Sequence, residues 1–277
     1  MDSVNYQFEP ALQALNQPRQ RILMADAVGL GKTLEAGILV SELMKRGKAK
    51  RILVLAVKSM LTQFQKEFWN RFSIPLTRLD SQGIQRVRNK IPANMNPFFY
   101  YDKSIISIDT LKQEALYRSY IEEAYWDIII IDEAHNVADR NSGSQKSKLA
   151  KLISSRCDTL VMLSATPHDG SAKSFASLLN MLDPTAIANP NDYSADDFKD
   201  KGLVIRRFKK DIADQVKDEF KTRQIFTIKS NASIYEEDVF AFISNISFKT
   251  IDSNKRKGSE LFKTTLIRSE EHTSELQ

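Results

Sequence analysis

A chain of 277 residues that is 42% hydrophobic and 27% charged is neither a disordered tail, a collagen-like repeat nor a disulfide-stapled miniprotein. Its single cysteine, Cys157, cannot close an internal disulfide or build a multi-cysteine metal centre, and three histidines (His135, His168, His272) are too few for a typical histidine-built zinc site. The net charge of +5, from 40 basic and 35 acidic residues, is compatible with a polyanionic partner without demanding one.

The opening MDSVNYQFEP has no basic n-region and no apolar h-region, so no leader is expected there. The longest apolar runs, Ile52–Val57 and Ile128–Ile131, are far short of a bilayer span. They suit strands buried on both faces of a parallel sheet. A soluble, cytoplasmic protein with no membrane partner is the expectation.

In chain order, Ile22–Ala25 reads as a short buried strand, followed by a glycine-bearing turn and a helix from about Thr33. Ala36, Leu39, Val40 and Leu43 give that helix its i, i+3, i+4, i+7 stripe, and Gly47 is a natural stop. Ile52–Val57 is the next strand, then an amphipathic helix carrying Leu61, Phe64, Phe68 and Phe72. Further strands are expected at Ser104–Ile108, Asp127–Ile131 and Leu160–Leu163. Helices are expected near Leu111–Glu123, Lys146–Ser154 and Lys173–Leu182. Strands alternating with helices indicate an α/β fold with a parallel, doubly wound sheet and right-handed crossovers.

The texture changes after residue 183. Asp183–Asp200 is rich in Pro, Asn, Asp and Ser and reads as loop; Leu203–Lys210, LVIRRFKK, is a basic segment. Beyond it come a charged helix, a short strand at Gln224–Ile228 and a helix with the stripe Val239, Phe242, Ile243, Ile246. The last ten residues, RSEEHTSELQ, are the in-frame translation of a common short-read sequencing adapter. Residues 268–277 are therefore expected to be an artefact, and the natural protein to continue past Ile267.

Three strand ends bear chemistry. Asp26-Ala27-Val28-Gly29-Leu30-Gly31-Lys32-Thr33 lies between a strand and a helix, as a phosphate-binding loop requires. Its glycines let successive N–H groups face one concavity, and the helix adds its positive end. Lys32 would reach the β- and γ-phosphates of a nucleotide, and the Thr33 hydroxyl would ligate Mg²⁺. The strict pattern has glycine where this chain has Asp26, and a simple glycine turn before an ordinary helix is the alternative. Ile128–Ile131 run into Asp132-Glu133-Ala134-His135, placing two carboxylates at the carboxyl end of a strand. There Asp132 can hold Mg²⁺ and Glu133 can deprotonate water; a helix N-cap is the alternative. Leu160–Leu163 run into Ser164-Ala165-Thr166-Pro167, a third strand tip able to face the same phosphates.

DAVGLGKT, DEAH and SATP, in that order, resemble motifs I, II and III of superfamily-two helicase-like ATPases. GLGKT followed by LEAG, LSATPHDG followed by SLLNMLDP, and VIRRFKKDI resemble the Swi/Snf-type translocases, nearest to their bacterial RapA/HepA-like branch. The resemblance covers about residues 5–267. It implies a RecA-like P-loop NTPase lobe at 21–210, with ATP and Mg²⁺ as cofactors. Residues 1–20 form an N-terminal segment, and 211–267 begin a connection to a second lobe. In that branch Asp26 is usual and Ala27 stands where Glu is more common.

By the same resemblance Lys32, Asp132 and Glu133 are catalytic, and residues 26–33 bind ATP, with Gln7 contacting adenine. His135, Ser164, Ala165 and Thr166 couple nucleotide state to domain movement. Lys58, Ser59 and Gln63 fall in one segment that touches the DNA backbone, where Val57 replaces a usual proline. Asp109 and Thr110 fall in the next. Arg206 and Arg207 belong to the densest basic cluster. Double-stranded DNA or another nucleic acid, bound independently of sequence, is the implied partner. RNA polymerase and a phage-defence complex are both left open as assemblies. In the family a second lobe supplies arginines across the cleft, so this chain alone is expected to bind ATP and hydrolyse it slowly. Two alternatives stand: a DEAH-type strand-separating helicase on RNA or DNA, and a non-catalytic nucleotide-binding module.

Overall fold

Runs of Ile, Leu and Val that are apolar on both faces need a sheet covered on both sides, and that is what they form. The computed structural model describes residues 5–113, 115–139, 144–167, 171–215 and 233–245. Its strands are β1 (Arg21–Met24), β2 (Ile52–Ala56), β3 (Thr77–Arg78), β4 (Lys103–Ser107), β5 (Trp126–Ile131), β6 (Cys157–Leu163) and β7 (Val204–Ile205). All seven are parallel, in the order β3-β4-β2-β5-β6-β1-β7.

Alternate residues of each strand feed two cores. Ile22, Met24, Ile52, Val54, Ile128 and Ile130 pack under α1 (Glu9–Leu15), α2 (Lys32–Lys45) and α3 (Leu61–Phe72). Leu23, Leu53, Leu55, Ile129, Ile131 and Met162 face α4 (Ser81–Arg88), α6 (Ala115–Glu123), α7 (Gln145–Ser154) and α8 (Ala172–Leu182). A short α5 (Ile108–Gln113) follows β4 directly. The four isoleucines of β5 are fully buried, each contributing about 1.5–3 kcal/mol of burial.

Two polar and steric details hold these layers. Arg21, at the start of β1, is buried among carbonyls. Its Nη1 donates to Met181 O at 2.9 Å, and its Nη2 donates to Ser154 O and Cys157 O, both at 2.8 Å. One guanidinium thus satisfies carbonyls in the last turn of α7 and of α8. On the opposite face, Gly37 of α2 lies against the ring of Phe72 of α3, where an added Cβ would overlap the ring. Gly37→Ala should therefore cost about 1–3 kcal/mol, read from urea unfolding, despite alanine's better helix propensity. An unchanged or raised midpoint would show that α3 yields freely.

The expected strands and helices form with ends shifted by a few residues, except that β6 starts earlier, at Cys157, and 111–123 is divided between α5 and α6. The two-residue edge strands β3 and β7, and helices α1 and α4, are additional. β7 lies inside the basic segment, where Leu203 O and Ile205 O accept from Leu23 N (2.8 Å) and Ala25 N (2.7 Å). The N-terminal segment packs on the same body: Gln13 and Gln17 side chains both donate to Gly202 O at 2.7 Å.

The chain divides into two compact units, Met1–Phe220 and Lys221–Gln277. In the second, α9 (Ile234–Asn245) forms as expected, with Val239 and Phe242 of its stripe exposed. The expected charged helix past 215, the strand at 224–228, Ile246 and the adapter-like end lie outside the described residues. Among the described residues no helix is long and apolar enough to cross a membrane.

Candidate active site

The loop between β1 and α2 turns on two glycines in the left-handed region, Gly29 (φ 90°) and Gly31 (φ 93°), where a side chain would strain the backbone. Nothing lies within 4 Å of a Cβ built on Gly29, so the loop's mouth is open there. Lys32 reaches back across it, its Nζ donating to Asp26 O at 2.8 Å and Ala27 O at 3.4 Å. Thr33 sits in the first turn of α2, among backbone N–H groups that have no partner within the helix. Val28 is exposed and Leu30 is buried.

β1, β6 and β5 are neighbours, so their three tips adjoin along one edge. Ser164 N–H donates to Met24 O at 3.0 Å and Asp132 N–H to Leu55 O at 2.8 Å, placing Ser164 beside the end of β1 and Asp132 beside the end of β2. Burial raises the Asp132 carboxyl to about 6, the Glu133 carboxylate adds to the rise, and the Lys32 ammonium opposes it. Glu133 takes a left-handed backbone (φ 47°), a conformation that costs a non-glycine residue on the order of 1 kcal/mol or more. Its Oε2 lies 3.1 Å from His135 Nδ1, which lies 3.2 Å from Ser164 Oγ. The carboxylate tip and the SATP tip are thereby in direct contact through His135. Ser164 is buried, Ala165 half-buried and Thr166 exposed.

These residues fit a magnesium nucleotide. An open glycine cradle, the Lys32 ammonium near enough to act on the Asp132 carboxyl and a hydroxyl residue in the first turn of α2 lie at these strand ends, and Mg²⁺ favours such a sparse oxygen set completed by phosphate and water. Among the described residues no group of three or more His, Cys, Asp or Glu could hold a metal by itself.

The remaining expected residues are placed as follows. Gln7 is buried with its Nε2 toward Gly31, 3.4 Å from a Cβ built there, and the neighbouring Tyr6 hydroxyl donates to Leu30 O at 3.0 Å. Lys58 and Ser59 are exposed just past β2, and exposed Gln63 donates to Glu67 at 2.9 Å. Asp109 pairs with Lys146 at 2.9 Å, while Thr110 N–H donates to Ser107 Oγ at 3.1 Å and its hydroxyl bonds the same oxygen at 3.0 Å. Arg206 is exposed, with its guanidinium 5.0 Å over the Phe208 ring.

Arg207 departs from the phosphate contact expected of it. It is 8% exposed, and its donors go to Asp26, Glu35, Glu9 and the Tyr6 carbonyl. Sequence reading missed this cluster. Asp26 at the loop's first position and Glu35 within an otherwise apolar helix face were its signals, since both are fully buried.

A seven-stranded parallel sheet with a glycine loop after β1 and paired carboxylates after β5 is the architecture of a RecA-like lobe. Residues 11–201 match the SNF2-related domain, and the chain belongs to that family. It is 29% identical over 193 residues to the RNA polymerase-associated protein RapA of Sodalis glossinidius, covering 69% of this chain and 19% of that protein. The chain thus spans about a fifth of that relative's length. Its fold is similar to the SWI2/SNF2 ATPase core of Sulfolobus solfataricus solved in complex with dsDNA (TM-score 0.60, 20% identity, 98% of this chain and 58% of that one). It is likewise similar to the Hef helicase domain of Pyrococcus furiosus (TM-score 0.61, 16% identity, 98% and 54%).

Proposed function

We propose that this chain binds and hydrolyses ATP as the first motor lobe of a DNA-dependent translocase. The observation that carries the reading is that Lys32 and Thr33 follow β1 and Asp132 and Glu133 follow β5, two strand tips on the same edge that flank the β6 tip. The phosphates rest on the loop's amides and the α2 N-terminus, and Lys32 draws charge from the β- and γ-phosphates. Thr33 and Asp132 hold Mg²⁺, which neutralises charge on the phosphate oxygens when bound. Glu133 orients the attacking water and accepts its proton. His135 bonds both Glu133 and Ser164, so a change at the phosphate end is felt at the SATP tip. Gln7 serves the base end. In this reading residues 1–20 and 21–210 act as one lobe, and the arginines that complete catalysis come from a second one.

Lys58, Ser59, Gln63, Asp109, Thr110 and Arg206 are the proposed nucleic-acid contacts; Arg207 is not among them. Support comes from the dsDNA named in the Sulfolobus structure. The relatives' name makes RNA polymerase the assembly to test first. Titration with a fluorescent ATP analogue, with and without Mg²⁺ and duplex DNA, tests the reading. Mg²⁺-dependent saturable binding is expected, and its absence would sink the proposal. Lys58→Ala or Arg206→Ala should weaken DNA binding equally across sequences and each lower the salt slope by about 1. A sequence-selective loss would contradict the assignment.

A further inference from the structure

Asp26 and Glu35 are both fully buried, and one guanidinium serves them. Arg207 N–H donates to Asp26 Oδ1 at 2.7 Å, and its Nε donates to Asp26 Oδ2 at 3.0 Å, with Nη2 on the same oxygen. Nη2 also donates to Glu35 Oε1 at 2.7 Å, while Nη1 donates to Glu9 Oε2 at 2.9 Å and to the Tyr6 carbonyl. In return, Ala27 N–H donates to Arg207 O at 3.0 Å. Burial, reinforced by Asp26, pushes the Glu35 carboxyl up to about 8 against the pull of Arg207. A carboxylate in the loop's first position is thereby matched by a fork-shaped cation from the end of β7.

The cluster ties together four separate pieces of chain: the root of the phosphate loop, the helix it feeds, the end of β7 and the N-terminal segment. A second grip lies beside it, where Leu30 of the loop is buried in one cluster with Tyr6 and Ile212. Tyr6 adjoins Gln7, whose side chain rests toward Gly31. We infer that Arg207 is a positioning residue, locking the phosphate loop to the N-terminal segment so that the two ends of one bound nucleotide are held at a fixed separation. The inference rests on the ATP reading above and touches none of the reacting groups.

The test is equilibrium binding of a fluorescent ATP analogue to the 277-residue chain, with thermal melting alongside. Arg207→Lys keeps a charge but loses the fork, and should weaken ATP binding about 10- to 100-fold while the melting temperature moves by less than about 5 °C. Glu9→Gln, which removes only the half-exposed arm, should weaken it about threefold with no change in melting. A purely structural role predicts the opposite split: lowered melting with wild-type affinity, and that result overturns the inference. Should Arg207→Lys not fold, unchanged affinity in both Glu9→Gln and Tyr6→Phe overturns it. Failure of the unmodified chain to bind the analogue defeats the ATP reading instead, and the inference with it.

Discussion

Glu133→Gln in the full-length protein should cut ATP turnover about 10³-fold while leaving ATP affinity within about threefold. Glutamine keeps the size and one acceptor oxygen but cannot take a proton from water. The backbone at Glu133 is left-handed and its side chain lies 3.1 Å from His135, a separation that a glutamine of the same size can keep. A small change in side chain therefore tests chemistry and not position. Lys32→Ala should act at the other end of the reaction. It removes the ammonium that crosses the loop mouth, so affinity and turnover should fall together. Turnover retained in either variant would overturn the site assignment. A Glu133→Gln protein that no longer binds ATP would show instead that this residue shapes the pocket.

Arg21→Ala should lower the stability of the first unit by about 3–5 kcal/mol, a large share of the stability of an ordinary domain. Three backbone carbonyls within 3 Å depend on its two terminal nitrogens, two of them in the last turns of α7 and α8. Without the guanidinium the Met181 carbonyl loses its side-chain donor and the Ser154 carbonyl keeps only the Cys157 thiol at 3.6 Å, while Arg19 still donates to Cys157 O at 2.6 Å; burying under-satisfied carbonyls costs more than the lost bonds. Burial pulls the Arg21 pKa below its usual value, a sign of how little water reaches it. Arg21→Lys should recover only part of the loss, because a single ammonium cannot span both helix ends. Denaturant unfolding measures this directly. A loss below about 1 kcal/mol would mean that water or a neighbouring side chain replaces the fork.

The strands that build the centre of the sheet were legible because their apolar runs are uninterrupted: Ile128–Ile131 can only be buried on both faces, and all four are. The glycine loop after β1 was legible for a different reason. Left-handed backbone at Gly29 and Gly31 needs glycine, so geometry had to appear as residue type. The short strands β3 and β7 were not legible. Two residues carry no period, and such strands exist because a neighbour's free edge offers bonds, as Leu23 N and Ala25 N do to β7.

Arg207 shows the boundary most clearly. Adjacent arginines in a basic segment look alike in sequence, yet Arg206 points to solvent and Arg207 is buried against three carboxylates. Both lie just past β7, and only the bonds that the following backbone makes to the β1–α2 loop, Arg207 N–H to Asp26 Oδ1 and Ala27 N–H to Arg207 O, say which one turns inward. Local rules were sufficient for the sheet, the loop and the identity of the chemical groups, because each is dictated by short-range backbone geometry or by burial of a contiguous run. Chain folding alone decided which side chains share a charge, because Glu9, Asp26, Glu35 and Arg207 meet only when the sheet has brought distant segments within bonding distance, and burial has removed the water around Asp26 and Glu35.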